Sequence, residues 1–460
     1  MLLLKESKKV FFSIVFVVYF AAMVLMAVSQ DSMDFSGQKI TEPQQGENYG
    51  TKAEEIPEVI MPAALEALYN DFLNNSYIAY PIGFYKEVKL NDSKQKAMAG
   101  VLEKITGISA QELMREAKSV QDTEKETGTG GEAAGSNGIR IDAEDMVIQE
   151  DGSYAYTLPD ENVNAGEQTD EASADALSVS VKENLTYAEF KMAMNKADEI
   201  IGGGSSYRTD NLAHFSMVPV TYEEALEQYR LTKEKDRFTG GYARLFSDYM
   251  VVSIISILPV FLAVALCLKD RQSGMEQIIY TRCIPAWKLI GARYLAVLSA
   301  VMLPEILLAY VSNASVWGLY PGESLDYLAP LKYAVIWLLP TAMISAAVGM
   351  FFTELTKTPV AIAIQGLWWM YDINQGIWEE NGCSLFRLAP RHNTIVRTQD
   401  WFEHMDKFAA NRIFFTCLAL ALLAATIYVY EQKRRGRLHG KDKKKRNFRG
   451  LGNRTYKYQA

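Results

Sequence analysis

The chain has 460 residues, 49% of them hydrophobic, a mean hydropathy of −0.05 and a formal net charge of −8, averages that suit a soluble globular protein. They conceal two opposite parts: residues 29–246 carry 39 acidic and 20 basic side chains, a balance of −19, and the remainder carries 16 and 27, a balance of +11. Cys267, Cys283, Cys383 and Cys417 have no CxxC spacing and share no aqueous compartment, and His214, His392, His404 and His439 have no ligand-like spacing, so a disulfide framework and a zinc site are both excluded.

Lys5, Lys8 and Lys9 precede the apolar run Val10–Val28, whose 19 residues come close to the ~20 needed to cross a bilayer core. The run is longer than a signal-peptide core, which predicts an uncleaved anchor and places residue 30 outside.

Residues 30–246 contain no span and must fold in water as an extracytoplasmic α+β domain. Pro57–Asn74 reads as a helix with Ile60, Ala64, Leu68 and Phe72 on one face, Tyr77–Leu90 as strand material, and Asp92 as the start of a helix with Met98, Val101, Leu102 and Ile105 inward. Ser109–Glu112, Thr186–Glu189 and Thr221–Glu224 have the form of capping boxes, each opening a helix. Between them, residues 121–176 turn to Gly, Glu, Asp, Ser and Thr, too polar to offset their ordering entropy except where Ile139–Ile148 and Ser153–Leu158 suit a hairpin. Gly202-Gly-Gly204 lacks the Gly-Lys-Ser/Thr ending of a phosphate loop and reads as a helix stop. Gly240-Gly241 reads as a hinge between this domain and the membrane.

Four further apolar runs at 249–268, 291–312, 333–352 and 413–430, with a shorter one at 359–373, bring the expected number of transmembrane helices to six across residues 1–29 and 247–432. The tail 433–460 holds 12 Lys and Arg against the single acid Asp442, which places it in the cytoplasm with the N-terminus. Beside a span, such a tail is a topology signal or an anionic-lipid contact rather than a nucleic-acid patch. Pro259, Pro304 and Pro340 are either kinks that permit helix motion or tolerated breaks. Glu305, next to Pro304, is either an intramembrane gating residue or a carboxylate paired with a neighbouring helix.

The cytoplasmic loop Lys269–Arg293 carries five basic residues and an apolar stripe. Gly274 can turn the chain back towards the membrane, Met275, Ile278, Ile279 and Tyr280 offer apolar contacts, and Glu276, Arg282 and Trp287 offer specific ones, a pattern suited to a short helix docking into a partner's groove. No catalytic nucleophile with an adjacent base occurs, and the cytoplasmic parts are too small for an ATP-hydrolysing domain.

With DRQSGMEQIIYTRCIPAWKLIGARYLA in this loop and MVPVTYEEALEQY and GGYARLFSDYM before it, the chain resembles permease subunits of ABC-2 type ABC transporters, in particular Gram-positive bacterial ones with a large outer insert. Gly274, Glu276, Ile278, Ile279 and Gly291 match the family's coupling segment; Arg282 stands where a proline is common, and Ala292-Arg293 replaces a lysine. The resemblance implies a permease in the bacterial cytoplasmic membrane, a homodimer or heterodimer with a second permease subunit, moving an unknown substrate, most commonly outward. ATP and magnesium would be bound by a separate ATPase subunit gripping the loop, and this chain would carry no cofactor. Readings from other classes are a membrane-anchored receptor or assembly scaffold, a secondary transporter, and an enzyme of the outer domain.

Overall fold

In the computed structural model the chain is described over residues 2–81, 85–127, 146–148, 154–156, 179–375, 384–391, 395 and 398–437. The fold is about 70% helical, and among the described residues the strands form three two-stranded antiparallel ladders.

The expected first span is broken. Helix α1 covers Leu2–Phe11 and α2 covers Ile14–Ser29, bent by 65° to each other. Ser13 is the reason: its backbone is extended and its hydroxyl accepts from Phe16 N–H, so α2 begins afresh with an N-cap. Val10 therefore belongs to α1, which carries the basic residues and packs along the base of the bundle.

The insert folds around its own core. Its elements are β1 (Thr51–Ala53), α3 (Pro57–Asn74), β2 (Tyr77–Ala79), β3 (Lys86–Val88), α4 (Asp92–Thr106), α5 (Ala110–Thr127), β4 (Met146–Ile148), β5 (Tyr154–Tyr156), α6 (Tyr187–Ile201), a 3-10 segment at Thr209–Phe215 and β6 (Met217–Pro219). Ile60, Leu68, Phe72, Met98, Leu102, Ile105, Phe190 and Met194 are all fully buried together, as their helical spacing requires. Thr186 and Glu189 complete a reciprocal capping box, and Gly202, at φ +128°, ends α6. The β1–β6 ladder ties the two ends of the insert to each other, Lys52 opposite Val218. The expected hairpin forms, with Met146–Ile148 paired to Tyr154–Tyr156; the start of the acidic segment, 121–127, is not linker but continues α5, and the rest of the segment lies outside the described residues.

The remaining elements are α7 (Tyr222–Glu234), α8 (Thr239–Met250), α9 (Pro259–Gln272), α10 (Glu276–Tyr280), α11 (Ala286–Leu319), α12 (Ala329–Tyr333), α13 (Leu339–Thr356), α14 (Val360–Gln375), α15 (Thr398–Glu403) and α16 (Met405–Arg434). Thr221 and Glu224 cap α7 reciprocally as expected. One-turn π segments, Val251–Ile255 and Ala334–Leu338, precede Pro259 and Pro340. The wider turn accommodates a ring that cannot donate and would clash with the preceding carbonyl. Pro304 lies inside the continuous α11.

Three helices, Ala286–Leu319, Ala329–Thr356 and Met405–Arg434, are long and apolar enough to cross a membrane, and five are if each bent pair counts as one. Helix α14, with 16 residues, is not among them.

The glycine hinge is not a hinge. Gly240 and Gly241 lie buried in the first turn of α8, where a Cβ on Gly240 would stand 2.4 Å from Asp236 Oδ1 and one on Gly241 2.7 Å from the Ile395 carbonyl oxygen. They serve close approach rather than bending. Around them the insert is tied to the bundle. Phe35, Phe238, Tyr242, Val316 and Tyr320 form one apolar cluster, Tyr320 Oη accepts from Ile40 N–H at 2.7 Å, and Ser315 Oγ accepts from Phe35 N–H at 3.0 Å.

Candidate functional site

The loop between α9 and α11 is built from its ends inward. After α9, Gly274 takes φ +68°, where the Gly274 and Met275 N–H groups donate back to Arg271 and Asp270 carbonyls at 3.0 and 2.9 Å. The five residues of α10 follow, and Pro285 leads into α11.

Side chains from three other elements hold this loop. Glu276 accepts from the Tyr280 hydroxyl at 2.7 Å and pairs with Lys357 Nζ at 3.0 Å, while Arg271 donates to the Lys357 carbonyl at 2.5 Å. Burial pushes the Glu276 carboxyl up, but the Tyr280 hydroxyl and the Lys357 ammonium outweigh it and hold the group below its ordinary range. Arg434, at the end of α16, donates through Nη1 to the Ile284 carbonyl at 2.9 Å and through Nε and Nη2 to those of Tyr280 and Arg282 at 3.2 Å each. Tyr430 packs edge-on against Tyr280 with ring centroids 5.4 Å apart. Below the loop, Asp270 pairs with Arg293, whose Nε lies 3.5 Å from Glu6 of α1, and Lys9 bridges to Glu6 at 2.7 Å. Asp270, Glu276, Tyr280, Arg293, Lys357 and Tyr430 line a cavity of about 30 Å³, enough for one or two waters.

The expected contact residues divide. Met275, Ile278 and Trp287 stand out, at 40%, 52% and 61% exposure, with Arg282 also exposed. Ile279 and Tyr280 turn inward against the core, so the expected stripe of Met275, Ile278 and Ile279 does not lie on one surface. The reason is the helical period: Ile278 and Ile279 are consecutive and face apart on any helix. Sequence reasoning missed Arg434, Lys357 and Tyr430. Arg434 reads as one more charge of the basic tail, and nothing in its spacing announces three carbonyl partners.

Pro304 and Glu305 lie far from this loop. Glu305 is fully buried inside the helical bundle, where Oε1 accepts from the Tyr19 hydroxyl of α2 at 3.1 Å and Oε2 has no hydrogen-bond partner. Other ionisable groups are buried with the helices as well. Arg244 is fully buried in a two-pronged pair with Asp236, donates to Tyr333 Oη at 2.8 Å and stacks over Trp401 at 5.1 Å. Asp372 accepts from Leu388 and Ala389 N–H at 2.6 and 3.0 Å, and Arg412 donates to Trp337 O and Thr341 Oγ1 at 2.9 and 2.8 Å. Each serves to pin a loop or a helix end, as buried charges must when they are satisfied.

Two ends of the bundle can now be told apart. The loop 273–285, the α13–α14 turn, α1 and the end of α16 meet at one end. The insert, the 320–328 segment and α15 meet at the other, joined by Lys233–Glu323 at 2.9 Å and Gln228–Gln399 at 3.0 Å. Among the described residues no group of three His, Cys, Asp or Glu side chains is placed to hold a metal ion.

Comparison of the chain with protein-family models, with curated proteins and with solved structures finds no match in any of the three.

Proposed function

We propose that this chain is the membrane-spanning permease subunit of an ATP-binding cassette exporter, with ATP and magnesium handled by a separate ATPase subunit. The observation that carries the reading is the construction of the loop 273–285. It exposes Met275 and Ile278, with Trp287 exposed just beyond it in the first turn of α11, while its backbone is clamped to α16 by Arg434 and its carboxylate to the α13–α14 turn by Lys357. A partner gripping those side chains would move the ends of several helices together, which is what a coupling element must do and a mere connection need not. Six crossings, formed by α2, α8–α9, α11, α12–α13, α14 and α16, agree with the loop 273–285, α1 and the end of α16 lying at one end and the insert at the other. In this arrangement the insert is extracytoplasmic, the termini are cytoplasmic, and the membrane is the bacterial plasma membrane. A second permease subunit, the same or different, completes the pathway for a substrate whose class the chain does not reveal.

The test is a mild-detergent pull-down of the intact protein, with mass spectrometry and an ATPase assay on the eluate. A stoichiometric ATPase subunit, lost when residues 274–287 are replaced by a Gly/Ser linker that preserves membrane insertion, is the expected result. A stable preparation with no such partner would overturn the proposal and leave the insert as the ligand-binding part of a receptor or scaffold.

A further inference from the structure

We infer that an anionic phospholipid is seated in the groove between the first turn of α11 and the last turns of α16. The groove has a volume of about 470 Å³. Ala286, Ala424 and Ile427 line it, Trp287 and Tyr428 flank it at 61% and 64% exposure, and Arg434 stands at its end. Two exposed cations stand against its lining, Lys288 beside Trp287 and Arg435 beside Glu431. Lys288 lies over the Trp287 ring at 5.3 Å, and the acid beside them, Glu431, is already paired with Arg435 at 2.8 Å. The rim is therefore net positive.

The order along the groove matches one class of occupant. Along α16 the apolar Ala424 and Ile427 come first, then the amphipathic Tyr428, then Arg434 and Arg435 at the helix end: acyl chain, ester region and phosphate in that sequence. Helices α11 and α16 are both long and apolar enough to cross a membrane, and only 28% of the apolar stretch of α16 is buried. The groove is thus open to whatever surrounds the bundle. A second copy of this chain seated symmetrically there would bring like-charged rims together, which disfavours it. A zwitterionic lipid would satisfy the walls and leave the rim uncompensated. The inference does not depend on an ATPase partner.

The test uses the full-length protein reconstituted in vesicles of phosphatidylcholine with one-fifth phosphatidylglycerol. Brominated acyl chains are carried either by the phosphatidylglycerol or by an equal amount of the phosphatidylcholine. The signal of Trp287 is taken as the difference between the parent and Trp287→Phe. Bromine on the anionic lipid is expected to quench Trp287 at least threefold more strongly. That preference should vanish in Lys288→Gln/Arg435→Gln, with quenching of the other tryptophans unchanged as the check on folding. Equal quenching from both lipids would mean bulk bilayer contact only and would overturn the inference. Absence of quenching from either would mean that protein fills the groove, which overturns it as well.

Discussion

Tyr19 and Glu305, 286 residues apart in the chain, meet in the middle of the helical bundle, the phenol hydroxyl donating to the carboxyl at 3.1 Å. Among the described residues Tyr19 is the side chain that satisfies Glu305, and both are essentially excluded from solvent. Removing the hydroxyl in Tyr19→Phe strands a buried polar group, at a cost of about 1–3 kcal/mol. Glu305→Gln retains an acceptor for Tyr19 and is expected to be neutral or stabilising. Unfolding in mixed micelles measures both; an undiminished Tyr19→Phe protein would show that the bond contributes nothing.

Arg244 is the larger dependence. Its guanidinium joins Asp236 of the segment after α7 to Tyr333 and Trp401. Arg244→Lys supplies one ammonium where a planar fork is needed, and Arg244→Ala leaves Asp236 charged and buried. We expect losses of about 1–3 and about 3–5 kcal/mol, seen as lower melting temperature and lower yield. A double variant with Asp236→Asn should recover part of the second loss.

Glycines of equal standing in the sequence should differ in tolerance. Alanine at Gly241 meets the Ile395 carbonyl and alanine at Gly240 meets an Asp236 side chain locked by Arg244, so each should destabilise by about 1–3 kcal/mol. Gly291 has nothing within 4 Å of a Cβ, so Gly291→Ala in α11 should be neutral or gain up to ~1 kcal/mol of helix propensity. Thermal denaturation of the three variants in one detergent checks the ranking.

The insert carries a pH dependence of its own. Burial raises the Asp71 carboxyl from its ordinary value to about 6, against a smaller opposing effect of the Tyr207 hydroxyl, which donates to it at 2.6 Å. An acid whose folded-state pKa is raised favours folding when protonated. Its contribution is fully present below about pH 4 and is lost as pH rises through about 6, on the order of 3 kcal/mol in all. Hydrogen exchange of α3 and the 209–215 segment in the full-length protein should therefore slow, after correction for intrinsic rates, between pH 7 and pH 5. Asp71→Asn should flatten that change; an unaltered profile would remove Asp71 as its source.

Adjacent isoleucines in α10 should separate contact from stability. Ile278 is 52% exposed and Ile279 packs against the core. Ile278→Ala should change stability by less than ~0.5 kcal/mol yet weaken capture of the ATPase subunit about tenfold. Ile279→Ala should cost about 1–3 kcal/mol by opening space beneath the loop. Equal capture by Ile278→Ala and the parent would move the contact surface away from α10.

What the sequence by itself determined follows from local rules. Periodicity placed α3, α4 and α6 with their buried faces, two capping boxes stand where Thr and Glu are three residues apart, and runs of apolar residues marked the long helices. These features depend on neighbours within about one turn, and such neighbours are legible in a string. Tertiary structure alone decided the rest. That Gly240 and Gly241 allow close packing rather than bending, and that Ile279 rather than Ile278 faces inward, depend on what lies across the bundle. Arg434 is the plainest case: its three partners are backbone carbonyls about 150 residues earlier, and a carbonyl carries no signature in the residue that bears it. Buried charges such as Arg244 and Arg412 were likewise unreadable, and Glu305, though marked by its place in an apolar run, did not disclose Tyr19, because the partner that makes burial tolerable is chosen by the fold and not by sequence spacing.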